Sequence, residues 1–545
     1  MSFGLQFTDK PQVLASLDAP PVTQLRTRED RSTAFDAAKT VLVEGDNLEM
    51  LKLLRPAYFE RMQLIYMDPP YNTGRDFVYR DRFGETHEAF LRRTGQVDDT
   101  GTPLRANPRS EGRYHSAWLA MMYPRLWHAR SLLAAEGVLC VSIDDHEVHH
   151  LRLLLDEIFG EDCFIAQVVV VTNRGGRDYL RIATGHEYLL VYGATPQARI
   201  RELPKPPPKD ALRDAVGPYV LRELRNRNPR FHPGNRPNLF YPFYVDPSRD
   251  DGNGGLAVSL QPRTGYDVVV EPRNAVGAGS VWRWGQPKAA ANLADDDPIA
   301  SQVVAKRRRD GGFNVYEKHR KDTAKAKGLW DEPQMRTEQG TIDLREALGA
   351  PAFDHPKPVA LVQRCVQLAT DPTGLVLDPF AGSGTTAEAV ARANELDGGE
   401  RACVLGQWPE PVEQDGFETI CDVTRARVSV RCGGLRSFSL EPSETASVPT
   451  LEAIVAAEAC RPERFDPFAR GLERGVGLHA RLEQHGAWRV LRDRERALAW
   501  ALEPGSPKAL DDLGLPEGAA VVVPDEAWSD RQRVELADRF RIESA

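Results

Sequence analysis

The chain has 545 residues, 41% hydrophobic and 27% charged, with a formal net charge of −9 at pH 7, room for two to four cored domains of ordinary globular composition. No apolar run reaches transmembrane length, and Met1–Lys10 lacks the charged start and apolar core of a secretion signal, so no membrane is expected and the location is expected to be cytoplasmic. The seven cysteines (140, 163, 365, 403, 421, 432, 460) are never spaced Cys-x-x-Cys, which argues for reduced thiols and against a structural zinc.

Residues 1–35 show little periodicity and are expected to form a loosely attached arm. Val41–Val43 is a short buried strand ending in Glu44-Gly45-Asp46, and Leu48–Leu54 continue with helical spacing. A second strand, from Leu64, runs into Asp68-Pro69-Pro70-Tyr71-Asn72. Tyr114, Trp118, Met121, Met122, Leu126, Ala129 and Leu133 form the core stripe of a helix. Gly137–Ile143 is another buried strand, and Asp144 with Glu147 three residues later reads as a capping box opening a helix to Ile158. That helix carries His146, Glu147, His149 and His150, but not at His-Glu-x-x-His spacing; a solvated face is expected and no metal. Val168–Thr172 and Tyr188–Tyr192 read as strands of a closing antiparallel hairpin.

Between 196 and 345 the grammar changes to Pro, Asn, Gly and Arg with interleaved aromatics (Phe231, Phe240, Tyr241, Phe243, Tyr244, Trp282, Trp284). Two basic runs lie here, Arg201–Arg236 and Lys306–Lys327, so the acidic total does not argue against a nucleic-acid partner. Arg225, Arg227, Arg307, Arg308 and Arg309, with Arg174 and Arg177 of the preceding loop, are the candidate DNA contacts; a solvated irregular insert is the alternative. The α/β pattern then returns: His355 and Lys357 precede a helix, and the strand Leu375–Phe380 enters Ala381-Gly382-Ser383-Gly384-Thr385 and a helix to Ala393. Gly382 and Gly384 let a ligand approach the backbone, yet this is neither a phosphate loop nor a full dinucleotide fingerprint. After 433, helices are expected over Leu451–Ala459, Leu472–Leu482 and Trp528–Ile542, and a strand over Gly518–Val523.

Asp68-Pro69-Pro70-Tyr71 has a chemical reading beside the bland one of a strand end turning at two prolines. The nitrogen of an exocyclic base amine is a poor nucleophile because its lone pair is delocalised into the ring. A carboxylate and the carbonyl of Pro69, stiffened by consecutive prolines, can accept both N–H bonds and stabilise the developing positive charge. Tyr71 offers a stacking face for a base taken out of its helix.

Asp-Pro-Pro-Tyr at 68–71 followed by Asp-Pro-Phe-Ala-Gly-Ser-Gly-Thr-Thr at 378–386 resembles a β-class DNA amino-methyltransferase. Val43–Glu49, Asn72–Tyr79, Met121–Leu126, Ser142–Asp145 and His186–Tyr188 are more closely similar to the modification (Mod) subunits of type III restriction-modification systems. The resemblance implies an α/β S-adenosylmethionine-dependent methyltransferase fold, circularly permuted: a doubly wound, mostly parallel sheet with an antiparallel closing hairpin. It implies an N-terminal arm (1–35), a catalytic half (36–195), an inserted target-recognition domain (196–345), a cofactor-binding half (346–432) and a C-terminal α+β extension for dimer or partner contacts (433–545).

Carried over by position, Asp68, Pro69, Pro70 and Tyr71 would be catalytic; Asp46, Asn72, His355, Lys357, Asp378, Phe380, Ala381, Gly382, Ser383, Gly384 and Thr385 would bind S-adenosylmethionine. Gln407 stands where a ribose-binding acid is usual, so Gln407 or Glu410 is expected to substitute. No cysteine follows a proline, which excludes carbon-5 cytosine chemistry. The implied activity is methylation of N6 of adenine in double-stranded DNA by base flipping, in a homodimer with an ATP-dependent restriction (helicase-nuclease) subunit. A solitary adenine or N4-cytosine methyltransferase without nuclease, and a non-catalytic DNA-recognition subunit, are the alternatives.

Overall fold

The structure, a computed structural model, describes residues 4–73, 113–176, 181–274, 277–294, 297–412, 416–442, 479, 481–485, 488–492, 497–501, 513–516, 519–523 and 541–544. The chain divides into two compact units, residues 202–326 and the remainder.

The larger unit is organised by a ten-stranded sheet. Its strands are β1 (Thr23–Thr27), β2 (Thr40–Glu44), β3 (Met62–Met67), β4 (Leu133–Ile143), β5 (Phe164–Val171), β6 (His186–Gly193), β7 (Leu329–Trp330), β8 (Leu375–Asp378), β9 (Ala402–Gln407) and β10 (Arg436–Pro442). Across the sheet they run β1-β10-β2-β9-β8-β3-β4-β6-β5-β7. From β10 to β4 all neighbours are parallel, whereas β6 is antiparallel to both β4 and β5, the closing hairpin read from sequence. The central strands are apolar without alternation because helices cover both faces; every residue of β2 is buried.

Those helices are α1 (Lys10–Ser16), α2 (Asn47–Tyr58), α3 (Arg113–Leu132), α4 (Val148–Phe159), α5 (Thr337–Leu348), α6 (Val359–Ala369), α7 (Thr385–Asp397) and α8 (Ile420–Arg431). None of the described helices is long and apolar enough to cross a membrane. Val376 and Leu377 of β8 pair in parallel with Leu64 and Ile65 of β3. The chain leaves β8 toward β9 on one side and β3 toward β4 on the other, so strand order reverses between these neighbours, the place where open α/β sheets bind ligands.

Several expectations need correcting. The N-terminal arm is knitted in: Val13 of α1 is fully buried, and β1 pairs along its whole length with β10. The capping box at Asp144 does not form; Glu147 itself is the N-cap residue of α4, and no side chain caps there. A capping box forms instead at Thr419 and Asp422, where the two side chains cap α8 reciprocally. In the C-terminal region Leu482 lies on a strand, Arg481–His485, and Ile542 on another, Arg541–Ser544, where helices were expected. Both belong to a five-stranded sheet that includes Ala520–Val523. Leu451–Ala459 lies outside the described residues.

The smaller unit is a seven-stranded sheet, antiparallel at each of its described strand pairings. Tyr241, Phe243, Trp282 and Trp284, expected at a nucleic-acid surface, are its core, with the Phe243 and Trp282 rings edge-to-face at 5.3 Å. Lys318, counted in the second basic run, is fully buried between Asp214 at 3.1 Å and Asp251 at 2.9 Å. Arg320 also pairs with Asp214.

Candidate active site

Asp68 and Tyr71 stand just past the carboxyl end of β3 because the two prolines cannot continue a hydrogen-bonded strand. Trp118 of α3 pins the loop from behind, its indole N–H donating to the Pro70 carbonyl at 2.7 Å. Among the described residues no donor meets the Pro69 carbonyl.

Two side chains from elsewhere complete the cluster. Lys357, just before α6, places Nζ 3.4 Å from Asp68 Oδ1 and 2.9 and 2.8 Å from the two oxygens of Glu187 on β6. It also donates to the Tyr71 hydroxyl, which donates in turn to Glu187 Oε2 at 3.1 Å. The lysine's hydrogens thus go to Glu187 and Tyr71. Asp68 Oδ1 is buried and, beyond its ion pair with Lys357, meets no hydrogen-bond partner among the described residues, although the side chain as a whole is 26% exposed. Burial pushes the Asp68 carboxyl up, Lys357 pulls it down and Glu187 pushes it up again, for a pKa of about 6. Burial would lower the Lys357 ammonium, but the carboxylates of Asp68 and Glu187 outweigh it and hold it above its ordinary value. Burial, then the two carboxylates, push Tyr71 well above the usual phenol range, so its hydroxyl stays a donor.

At the end of β8, Gly382 (φ 51°) and Gly384 (φ 82°) adopt left-handed conformations that side chains resist, folding 380–384 into a tight turn that starts α7. Asp378 braces it, accepting from the Phe380 amide at 2.9 Å and from the Thr386 hydroxyl. Burial raises its pKa to about 7 against those two bonds. Gln407 Oε1 accepts the Gly382 amide at 2.7 Å, and buried Arg427 donates to Ser383 and Thr385, each at 2.9 Å. Thr385 reaches back to the Lys357 carbonyl at 3.2 Å, tying the turn to the cluster around Asp68.

The predicted residues fall into three groups. Asp68, Pro69, Pro70, Tyr71 and Lys357 converge, and beside them the turn from Phe380 to Thr385 ends the neighbouring strand. Asp46, Asn72, Asp378 and Gln407 have structural partners: Asp46 caps α2 through the Leu48 and Glu49 amides, and the Asn72 amide is committed to Glu147. The Lys357 side chain contacts the Asp68 cluster, while its carbonyl accepts from Thr385 of the glycine turn. His355 has a left-handed φ of 54°. Of the pair expected at the ribose, Gln407 is committed to the glycine turn, while no described residue pairs with the Glu410 carboxylate, which burial pushes up.

Of the candidate DNA contacts, Arg174 pairs with Asp331, and Arg225 and Arg227 both pair with Glu223. Arg307, Arg308 and Arg309 are exposed at the tip of the hairpin formed by Val303–Arg307 and Phe313–His319. Arg177 lies outside the described residues. The sequence reading missed Glu187 as a site residue, although His186-Glu187-Tyr188 carried part of the resemblance.

Residues 62–396 match the DNA methylase family. The Mod subunit of the type III restriction-modification enzyme EcoPI from Escherichia phage P1 is 32% identical over 78% of this chain and 68% of its own length. The type II methyltransferase M.KpnI from Klebsiella pneumoniae is 32% identical over 75% of this chain and 92% of its own. The StyLTI Mod subunit from Salmonella typhimurium is also 32% identical, over 71% of this chain and 56% of its own.

Proposed function

The chain belongs to the DNA methylase family, and on that basis we propose that it methylates N6 of adenine in double-stranded DNA as the modification subunit of a type III restriction-modification system. The observation that carries the chemistry is Asp68 Oδ1, ion-paired with Lys357 but filled by no hydrogen bond, on the strand beside the glycine turn. S-adenosylmethionine supplies an electrophilic methyl group, and Phe380–Thr385 would hold it. The target base, flipped out of the duplex, offers its amine to Asp68 Oδ1 and the Pro69 carbonyl, and the Tyr71 ring provides a stacking surface. Ionised Asp68 then stabilises the positive charge growing on nitrogen as the N–C bond forms and the donor's methyl–sulfur bond breaks, its electron pair going to sulfur, and the surplus amine proton leaves to solvent. Lys357 keeps that carboxyl ionisable in a buried setting, and Glu187 keeps Lys357 from covering the acceptor.

Residues 196–345 serve as the target-recognition insert, and the exposed arginines 307–309 contact DNA phosphates. Two copies of the chain and an ATP-dependent restriction subunit make up the working assembly in a cytoplasm. The near full-length match to a type II methyltransferase favours, as a second reading, a solitary enzyme of the same chemistry. Single-molecule methylome sequencing of a host expressing the chain, against one expressing Asp68→Ala, tests the proposal. Expected is N6-methyladenine at one sequence, marked on one strand in the type III case, and no mark with the variant. Methylation by Asp68→Ala would sink the base-pocket assignment.

A further inference from the structure

We propose that Glu147 is a positioning residue for methyl transfer: braced by His115 and His150, its carboxylate holds Asn72 and so fixes the exit of the Asp68–Tyr71 loop. This rests on the base-pocket reading above. The sequence suggested a solvated helix face for these residues, but Glu147 is 0% exposed. Its Oε1 accepts the Asn72 amide at 2.6 Å and lies 2.6 Å from His115 Nδ1; its Oε2 lies 2.8 Å from His150 Nδ1. An ionised carboxylate only accepts, so both imidazoles carry their N–H on Nδ1. Burial alone would push this carboxyl up, yet the three hydrogen bonds hold it below its usual value, and it stays charged.

What Glu147 holds is an unfavourable backbone. Asn72 is buried at a φ of 59°, a conformation that persists only where its surroundings over-determine it. Tyr114 adds a second grip, its hydroxyl donating to the Asn72 carbonyl and its own carbonyl accepting the Asn72 amide at 3.4 Å. Asn72 directly follows Tyr71, so its conformation sets where the Tyr71 ring and the carbonyls before it point. The ligand atoms of His115, Glu147 and His150 all lie within 4.8 Å of one another, which also invites a metal. The N···O separations of 2.6 and 2.8 Å are hydrogen-bond lengths, however, shorter than the ~3.3 Å between neighbouring ligands of a tetrahedral zinc.

The test exchanges donor and acceptor in the full chain, read by single-turnover methyl transfer to a duplex carrying the target sequence in unmethylated form. Asn72→Asp sets two carboxylates against each other and should slow transfer about 10- to 100-fold, the scale of a misplaced reacting geometry. Adding Glu147→Gln restores a donor–acceptor pair in reverse and should recover about tenfold, a coupling that two independent structural lesions would not show. A folded double variant no faster than Asn72→Asp overturns the proposal. So does one equivalent of zinc, bound by the wild type in equilibrium dialysis and lost in Glu147→Ala. A wild-type chain that transfers no methyl group overturns instead the reading on which this one stands.

Discussion

Replacing Lys357 with Met tests whether the lysine acts on Asp68 as a charge. The ammonium stands 3.4 Å from Asp68 Oδ1. At an effective dielectric of about 20, two unit charges at that distance attract by about 5 kcal/mol. That corresponds to about 3.5 pKa units as an upper bound. Glu187 faces the same ammonium at 2.8 Å and offsets part of its field, so a rise of about one to two units is expected. The sign follows from the role: the anionic carboxylate accepts the amine, and burial has already raised its pKa to about 6. Without the cation more base is needed to ionise it. Single-turnover rates measured from pH 5 to 9 should show the acid limb moving from near 6 to between about 7 and 8.

Glu187→Gln supplies the control of opposite sign. It removes a charge that raises the Asp68 pKa, so the limb moves down, while the released lysine closes on Oδ1 and the plateau rate falls. An acid limb in Lys357→Met that stays within about 0.3 unit of wild type, or moves down, refutes the electrostatic role.

Replacing Arg307, Arg308 and Arg309 together with Ala should weaken binding to duplex DNA and flatten its salt dependence by about 0.9 in log–log slope for each phosphate that is no longer neutralised; fluorescence anisotropy from 50 to 300 mM salt reads it, and an unchanged slope places the DNA path elsewhere. Lys318→Met leaves Asp214 and Asp251 buried without their shared cation and should cost about 3–5 kcal/mol of stability in the smaller unit. Hydrogen exchange in its strands Gly217–Glu223 and Phe313–His319 would rise, whereas unchanged protection would show the pair to be dispensable.

The sheet was largely legible because its central strands are unbroken apolar runs with turn residues at their ends, a pattern local to each strand. That β3 and β8 would be neighbours is a different kind of statement. No pattern local to either strand encodes it, and the parallel pairing of Leu64 and Ile65 with Val376 and Leu377 is what shows it. What stayed hidden depends on three-dimensional register. Glu187 reaches Tyr71 and Lys357 only because β6 runs antiparallel to β4 beside β3, and no spacing in the chain encodes that meeting. Lys318 and the aromatics of the insert misled for a related reason. Basic and aromatic residues among turn formers have the composition of a binding surface, but Phe243 and Trp282 on paired strands, and Tyr241 just before one, turn inward. Gln407, at the end of β9, braces the backbone of the glycine turn, a contact that no spacing in the sequence announces.

Three carboxyl groups that differ in burial and in the donors around them support the role proposed for Asp68. Each carries a desolvation cost, and what differs is the number of donors aimed at it. Glu147 receives three hydrogen bonds and is held ionised below its ordinary pKa. Asp378 receives two, from the Phe380 amide and the Thr386 hydroxyl, which do not overcome complete burial, and its pKa rises to about 7. Asp68 has a cation at 3.4 Å and an oxygen no donor fills, with a pKa of about 6. A carboxylate satisfied like Glu147 has three of its roughly four acceptor sites filled before a substrate arrives, and one buried like Asp378 would be half protonated at neutral pH. Lys357 favours the Asp68 anion from 3.4 Å while its closer contact, at 2.8 Å, is with Glu187. The amine of a base is the kind of group that completes such an oxygen, bringing the donor that the protein withholds.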